Sequence, residues 1–364
     1  MIKIFNKILL LAIVLAIIVG NFSACYEDKV KLVWQSTEGE ILNVMYMPYS
    51  QANSNYSDLP EDTEKWHYTG WEEISTSLGY IYIAQRLPID KYVWKDVFGN
   101  IISESCVVRG DDVPEVPLPQ NDEKWVYTEW SRENSGDLKT YIAKRIPNPD
   151  YFVGNVFQII TNDENGNLVS SGSGFVLNDS GWFITNNHVM NGSSSAIAFF
   201  DIKDGSTGNQ YTRLDVIGGI YNDTQKDIFI GKLDDYFKIK DYYRNIPFTT
   251  NYTKNENSYT VGYPNSSVKL EINSGKILEE YSDIYDKING VFYILSDSYI
   301  APGSSGGILI NEQFEVVGIT TIGFYADENK QIYQAGGSIP TFVFTPNITN
   351  LKETQLKPLY EIYQ

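Results

Sequence analysis

Three short stretches of this chain hold the residue types that could do chemistry. Ala301-Pro302-Gly303-Ser304-Ser305-Gly306-Gly307 presents a serine in a glycine-rich turn. Thr185-Asn186-Asn187-His188-Val189 presents an imidazole directly after an apolar run, and Lys226-Asp227-Ile228-Phe229-Ile230 presents a carboxylate at the head of another. Hydroxyl, imidazole and carboxylate are the groups that together activate a serine for acyl transfer. Taken singly, each has a plainer account. A Gly/Ser septet is commonly a loop, a lone histidine is commonly packed or solvated, and an aspartate before an apolar run often just opens a strand. The chain has only two histidines, His67 and His188, so the joint occurrence is far less expected by chance than any one piece.

The chemistry assigns the roles. Ser305 is the candidate nucleophile and His188 the base that takes its proton, a form of help worth about 10²–10⁴-fold. Asp227 would hold the imidazole tautomer and stabilise the imidazolium. Asp223 and Asp215 are rivals for that role, and Asp227 is preferred because Ile228-Phe229-Ile230 ties it to a buried strand. An oxyanion hole needs two converging backbone N–H groups, here those of Gly303 and Ser305. Gly303 and Gly306 allow a turn that a Cβ would obstruct.

The stretch from Gly172 to Val189, which contains Gly172-Ser173-Gly174-Phe175-Val176 and Thr185-Asn186-Asn187-His188-Val189, resembles the His-bearing hairpin of bacterial trypsin-like serine peptidases of the HtrA/Deg type. Asp227-Ile228-Phe229-Ile230 is similar to that family's Asp-bearing strand, and Ser258-Tyr259-Thr260-Val261-Gly262-Tyr263-Pro264 to its Val-x-x-x-Gly-x-Pro strand. Asp297 to Gly307 resembles the nucleophile loop, and Val317-Gly318-Ile319-Thr320-Thr321 and Gly337-Ser338-Ile339-Pro340 the segments after it. The resemblance spans roughly residues 152–345. It implies an all-β, chymotrypsin-like double β-barrel of two six-stranded barrels with the site between them, and a peptide bond as the target. Ile308 stands where the family usually has Pro, and Ser304 where animal trypsins carry the Asp that pairs with a freed N-terminus, so activation by that route is not expected. The resemblance also places a specificity pocket floored by Tyr299 and walled by Thr321, Ile322 and Gly323. No Asp lies at that floor and no second His lies in the domain. This argues against Lys/Arg and Glu preferences and leaves a small or apolar side chain. Only 59 residues follow Ser305, so no PDZ domain is expected after the second barrel.

The charge balance is acidic, 28 basic against 46 acidic side chains, which argues against nucleic acid as a partner. Lys3 and Lys7 precede the apolar run Ile8 to Val19, too short to span a bilayer, which reads as the h-region of a signal peptide at 1–24. Phe22-Ser23-Ala24-Cys25 resembles a bacterial lipobox apart from Phe22, making Cys25 the expected lipidation site and the membrane a partner through that anchor. Ordinary cleavage at Ala24, giving a secreted or periplasmic protein, is the alternative. Cys106 is then the only other cysteine, so no intramolecular disulfide, no metal site and no cofactor are expected.

Residues 26–150 repeat internally. Glu64-Lys65-Trp66-His67-Tyr68-Thr69-Gly70-Trp71 returns as Glu123-Lys124-Trp125-Val126-Tyr127-Thr128-Glu129-Trp130, and Tyr82-Ile83-Ala84-Gln85-Arg86-Leu87-Pro88 as Tyr141-Ile142-Ala143-Lys144-Arg145-Ile146-Pro147. The offset is 59 throughout, with 12 of 29 positions identical from Glu64 to Tyr92. The reading is two small β modules, 26–92 and 93–150, joined by the Pro- and Asp-rich stretch Asp111 to Gln120, followed by a peptidase domain at 151–364 that folds by itself. Trp66, Trp71, Trp125 and Trp130 are read as the module cores, with a glycan or protein ligand as the competing account. Helical periodicity is confined to Thr349–Leu359. Taken together, these features predict a serine endopeptidase of the bacterial cell envelope acting on polypeptide substrates. The competing class is a binding or adhesion lipoprotein whose peptidase domain is vestigial.

Overall fold

The computed structural model describes residues 29–48, 58–77, 79–135, 138–203, 211–279, 292–325 and 333–363. The signal peptide and Cys25 lie outside the described residues. The chain divides into two compact units. One holds the residues up to Pro119 together with Thr128–Lys144, and the other holds Gln120–Tyr127 and everything from Arg145.

The first unit is built on one seven-stranded sheet formed by β1 (Lys29–Gln35), β2 (Ile41–Pro48), β3 (Trp66–Thr76), β4 (Gly79–Lys95), β5 (Ile101–Val108), β6 (Trp125–Ser135) and β7 (Leu138–Pro147). β4 is the spine. Its first half pairs with β1 in parallel and β3 antiparallel, and its second half with β7 in parallel and β5 antiparallel. The 92/93 border between the two repeat copies falls inside this one strand. Of the four tryptophans read as module cores only Trp125 is buried, and Trp34 and Trp94 are buried as well. Trp34 opposes Tyr82 and stacks on it at 5.3 Å, and Trp94 opposes Tyr141 and stacks on it at 5.5 Å. Trp66, Trp71 and Trp130 are only partly buried. The strand alternation explains this: each apolar strand has one face to bury, and the pairs at the centre of the sheet take it.

The second unit holds two closed six-stranded barrels, the double-barrel architecture of the chymotrypsin-like fold. The first is made of β8 (Val156–Asn162), β9 (Leu168–Val176), β10 (Trp182–Thr185), β11 (Ser195–Phe200), β12 (Thr212–Asp223) and β13 (Ile228–Leu233). The second is made of β14 (Asn257–Gly262), β15 (Glu271–Glu279), β16 (Ile294–Ser296), β17 (Ile308–Asn311), β18 (Val316–Tyr325) and β19 (Tyr333–Pro340). The turn Asp163–Asn167 closes the β8–β9 hairpin: the Asp163 carboxylate accepts the N–H groups of Asn165 and Asn167. Gly166 supplies the positive φ of that turn. The helical periodicity is displaced. Helices lie at Thr341–Ile348 and Leu359–Ile362, with a 3-10 turn at Glu353–Gln355 between them, because Pro358 cannot continue a helix and serves instead to open the last one.

The border of this unit runs through the second repeat copy and not at residue 150. Trp125, 8% exposed, packs edge-on against Tyr259 and Phe314 within the barrel core, and the Arg145 guanidinium lies 3.8 Å over its other face. Glu123 pairs with Arg244 at 3.0 Å. These contacts are what join Gln120–Tyr127 to the barrels.

Candidate active site

His188 sits on a one-turn helix, Asn187–Met190, that follows the wholly buried strand β10. Val189 and Met190 are pulled into the first barrel's core, which leaves His188 as the exposed side of the turn, its side chain 50% exposed. Asp227 occupies the last position before β13, whose six residues are all buried. Its φ of 55° lies in the left-handed region, which aspartate enters more readily than most residues. This turn aims the carboxylate at His188. Oδ2 lies 2.7 Å from His188 Nδ1, and Oδ1 accepts the His188 backbone N–H at 2.8 Å. Facing a carboxylate acceptor, Nδ1 bears the proton and Nε2 keeps its lone pair for a substrate-side proton.

The rival carboxylates are engaged elsewhere. Asp223 accepts from the Tyr221 hydroxyl at 2.8 Å and from the Lys226 N–H at 2.8 Å. Asp215 is an exposed partner of Arg213 at 3.6 Å. Of the three, Asp227 alone meets the histidine.

Ser305 follows a tight loop in which Gly303 and Gly306 have φ of 96° and 87°. A Cβ on Gly306 would lie 2.0 Å from Ser173 O and 2.2 Å from Thr185 Oγ1, so only glycine fits. The loop is pinned from both barrels. Ser173 Oγ donates to Gly303 O at 2.7 Å and accepts the Tyr263 N–H at 2.9 Å, while Ser173 N–H donates to Ser305 O at 2.7 Å. Among the described residues, the N–H groups of Gly303 and Ser305 have no acceptor within the protein, the condition an oxyanion hole requires. The Ser305 hydroxyl donates to Thr321 O at 3.0 Å.

Asn186, adjacent to the helix, donates through Nδ2 to Asp227 O at 3.1 Å and to Thr321 Oγ1 at 3.0 Å. One amide thus ties the Asp-bearing turn of the first barrel to the strand of the second barrel on which the serine rests. The sequence reading passed over Asn186, Ser173 and Tyr263. The only signal for the first was a polar pair, Asn186-Asn187, immediately after a fully apolar strand.

Of the residues expected to line a pocket, Thr321 meets Ser305 through its carbonyl oxygen. Tyr299 is 44% exposed. Its ring packs edge-on to Tyr333 at 5.1 Å, and Tyr325 meets the same ring at 5.6 Å. The Tyr333 hydroxyl donates to Ser298 O at 2.7 Å and accepts the Ile300 N–H at 3.1 Å, and burial pushes that phenol above its ordinary pKa. Buried Ile300 lies against Gly336, which pairs with Gly323. Thr321 is buried and Ile322 exposed.

Residues 172–319 match the family model described as the trypsin-like peptidase domain. The chain is 27% identical over 278 residues to the serine protease HhoA of Synechocystis sp., covering 67% of both proteins. It is also 27% identical over 199 residues to the human serine protease HTRA3, covering 52% of this chain and 40% of that relative. Among solved structures it is similar to the HtrA-type protease AlgW with tripeptide, at 20% identity and a TM-score of 0.45, covering 57% of this chain and 64% of that one. It is likewise similar to a serine endoprotease from Yersinia pestis, at 22% identity and a TM-score of 0.41, covering 54% and 63%. The domain match and the serine-protease relatives support assignment of this chain as a serine endopeptidase.

Proposed function

We propose that the chain hydrolyses peptide bonds by acyl-enzyme chemistry in the bacterial cell envelope, with Ser305 as nucleophile, His188 as general base and acid, and Asp227 as the group that orients the imidazole. The observation that carries this reading is the two-point grip of the Asp227 carboxylate on His188, through Nδ1 and the backbone N–H. On approach of a peptide carbonyl, the Ser305 hydroxyl leaves Thr321 O, gives its proton to His188 Nε2, and Oγ bonds to the carbonyl carbon. The oxygen becomes an oxyanion and takes the two free N–H groups of Gly303 and Ser305. Each such donor is worth about 10²–10³-fold in turnover. Collapse of the intermediate breaks the C–N bond, and the imidazolium protonates the departing amine. Water, deprotonated by the same His188, then attacks the acyl-Ser305 ester, and Ser305 leaves with the proton.

The envelope location rests on Lys3, Lys7, the apolar run Ile8 to Val19 and Cys25 as the lipidated residue, all read from sequence. No helix among the described residues is long and apolar enough to cross a membrane. We place the specificity pocket at Tyr299, Thr321, Ile322 and Gly323, and the exposed aromatic ring of Tyr299 and aliphatic chain of Ile322 support a small or apolar side chain before the cleaved bond. A fluorophosphonate serine probe tests the assignment. It should label residues 26–364, and the Ser305→Ala and His188→Ala proteins should remain unlabelled while their circular dichroism is unchanged. Full labelling of Ser305→Ala would refute it.

A further inference from the structure

The segment from Lys357 to Tyr363 returns to the first barrel and meets the residues next to His188 and Asp227. Lys357 exchanges both backbone hydrogen bonds with Gly219, at 2.9 and 3.0 Å, and the helix Leu359–Ile362 then drops Leu359 into the first barrel's core. The approach is close: a Cβ on Gly218 would lie 2.4 Å from Lys357 O. One residue past the helix, Tyr363 stacks on Phe229, with centroids 6.3 Å apart and planes 21° apart, and its hydroxyl donates to Asn187 Oδ1 at 3.0 Å. Phe229 lies two residues after Asp227, and Asn187 directly precedes His188. Asn187 also donates its backbone N–H to Asp227 O at 3.1 Å. One side chain therefore touches both the histidine-bearing turn and the aspartate-bearing strand.

We infer that Tyr363 is a positioning residue for the His188–Asp227 pair, acting through Asn187 and Phe229. The inference rests on the triad reading above. Without the Tyr363 hydroxyl, Oδ1 of buried Asn187 loses its donor, and the turn that sets His188 against the Asp227 carboxylate is free to relax. Burial, and secondarily the Asp227 carboxylate, push the Tyr363 phenol far above its ordinary pKa, so it remains a donor across the working pH range.

The test is saturation kinetics of fluorophosphonate labelling on residues 26–364, with kinact and KI measured. Tyr363→Phe should lower kinact about 3- to 10-fold, the size expected for one lost hydrogen bond, with KI unchanged. Asn187→Ala should do the same, and the double variant should be no worse than either single one. Tyr360→Phe, 52% exposed on the same helix, should match wild type. An unchanged kinact in Tyr363→Phe, or a double variant markedly worse than either single one, would overturn the inference. If Ser305→Ala still labels, the triad reading itself has failed. If Ser305→Ala is unlabelled and Tyr363→Phe behaves as wild type, only the role of Tyr363 has.

Discussion

At the scale of single residues, the chemistry depends on which way two small groups point. The proposed triad was legible in the sequence as residue types: His188 after one apolar run, Asp227 before another and Ser305 in a glycine-rich turn. Orientation was not legible. The left-handed φ of Asp227, the Ser305 hydroxyl on Thr321 O and the Asn186 bridge join residues that are far apart in the chain, and no local pattern encodes such contacts. The two-point contact of Asp227 with His188 leads to a specific expectation. In Asp227→Asn the amide would present either a donor to Nδ1, forcing the proton onto Nε2 and removing the base, or its oxygen to Nδ1 and its NH₂ against the His188 backbone N–H. The fluorophosphonate labelling rate should fall by about 10³–10⁴-fold with the melting temperature little changed. By contrast, Asp223→Asn should keep the wild-type rate, since Asp223 is held by Tyr221 and Lys226.

At the scale of elements, local chemistry accounts for turns such as Asp163–Asn167, where the Asp163 carboxylate and the positive φ of Gly166 close the β8–β9 hairpin. Pairing between strands was less accessible. The two repeat copies were visible as sequence, but β4 spans their border and accepts β1 on one half and β7 on the other, a parallel pairing that no hairpin signal announces. The nucleophile loop depends on a similar long-range event. Ser173, a small polar residue in the interior of β9, holds Gly303 O through its hydroxyl and receives Tyr263 N–H from the second barrel. Ser173→Ala would leave that buried N–H and that carbonyl without their shared partner, at a cost of about 1–3 kcal/mol. Gly303 would then be free to move its N–H off the oxyanion position. Denaturant unfolding should report that loss, and the labelling rate should drop by more than the loss of folded protein accounts for. A rate that merely tracks the folded fraction would show that the loop holds its shape without Ser173.

At the scale of the whole molecule, Trp66 and Trp125 show how far a repeat can diverge in use. They occupy the same place in the two copies, and each has an arginine stacked on one face, Arg86 at 3.7 Å and Arg145 at 3.8 Å. Their other faces differ. Trp66 stays half-exposed, whereas Trp125 fills a site between Tyr259 and Phe314 in the core that also contains Ile308 and Ile310 of the strand following Ser305. The ungapped offset could reveal the duplication but not this difference, because the residues that surround Trp125 come from well over a hundred positions downstream. Removing it should behave as a core truncation. Trp125→Ala is expected to destabilise the barrels by about 3–5 kcal/mol in denaturant unfolding, while Trp66→Ala leaves both that transition and fluorophosphonate labelling unchanged. For the same reason residues 150–364, which lack Trp125, Glu123 and Arg145, should melt well below residues 120–364, and residues 120–364 should label as fast as residues 26–364. Equal melting of the two shorter proteins would mean that the barrels close over Tyr259 and Phe314 without the tryptophan, and the border of the peptidase would return to residue 150.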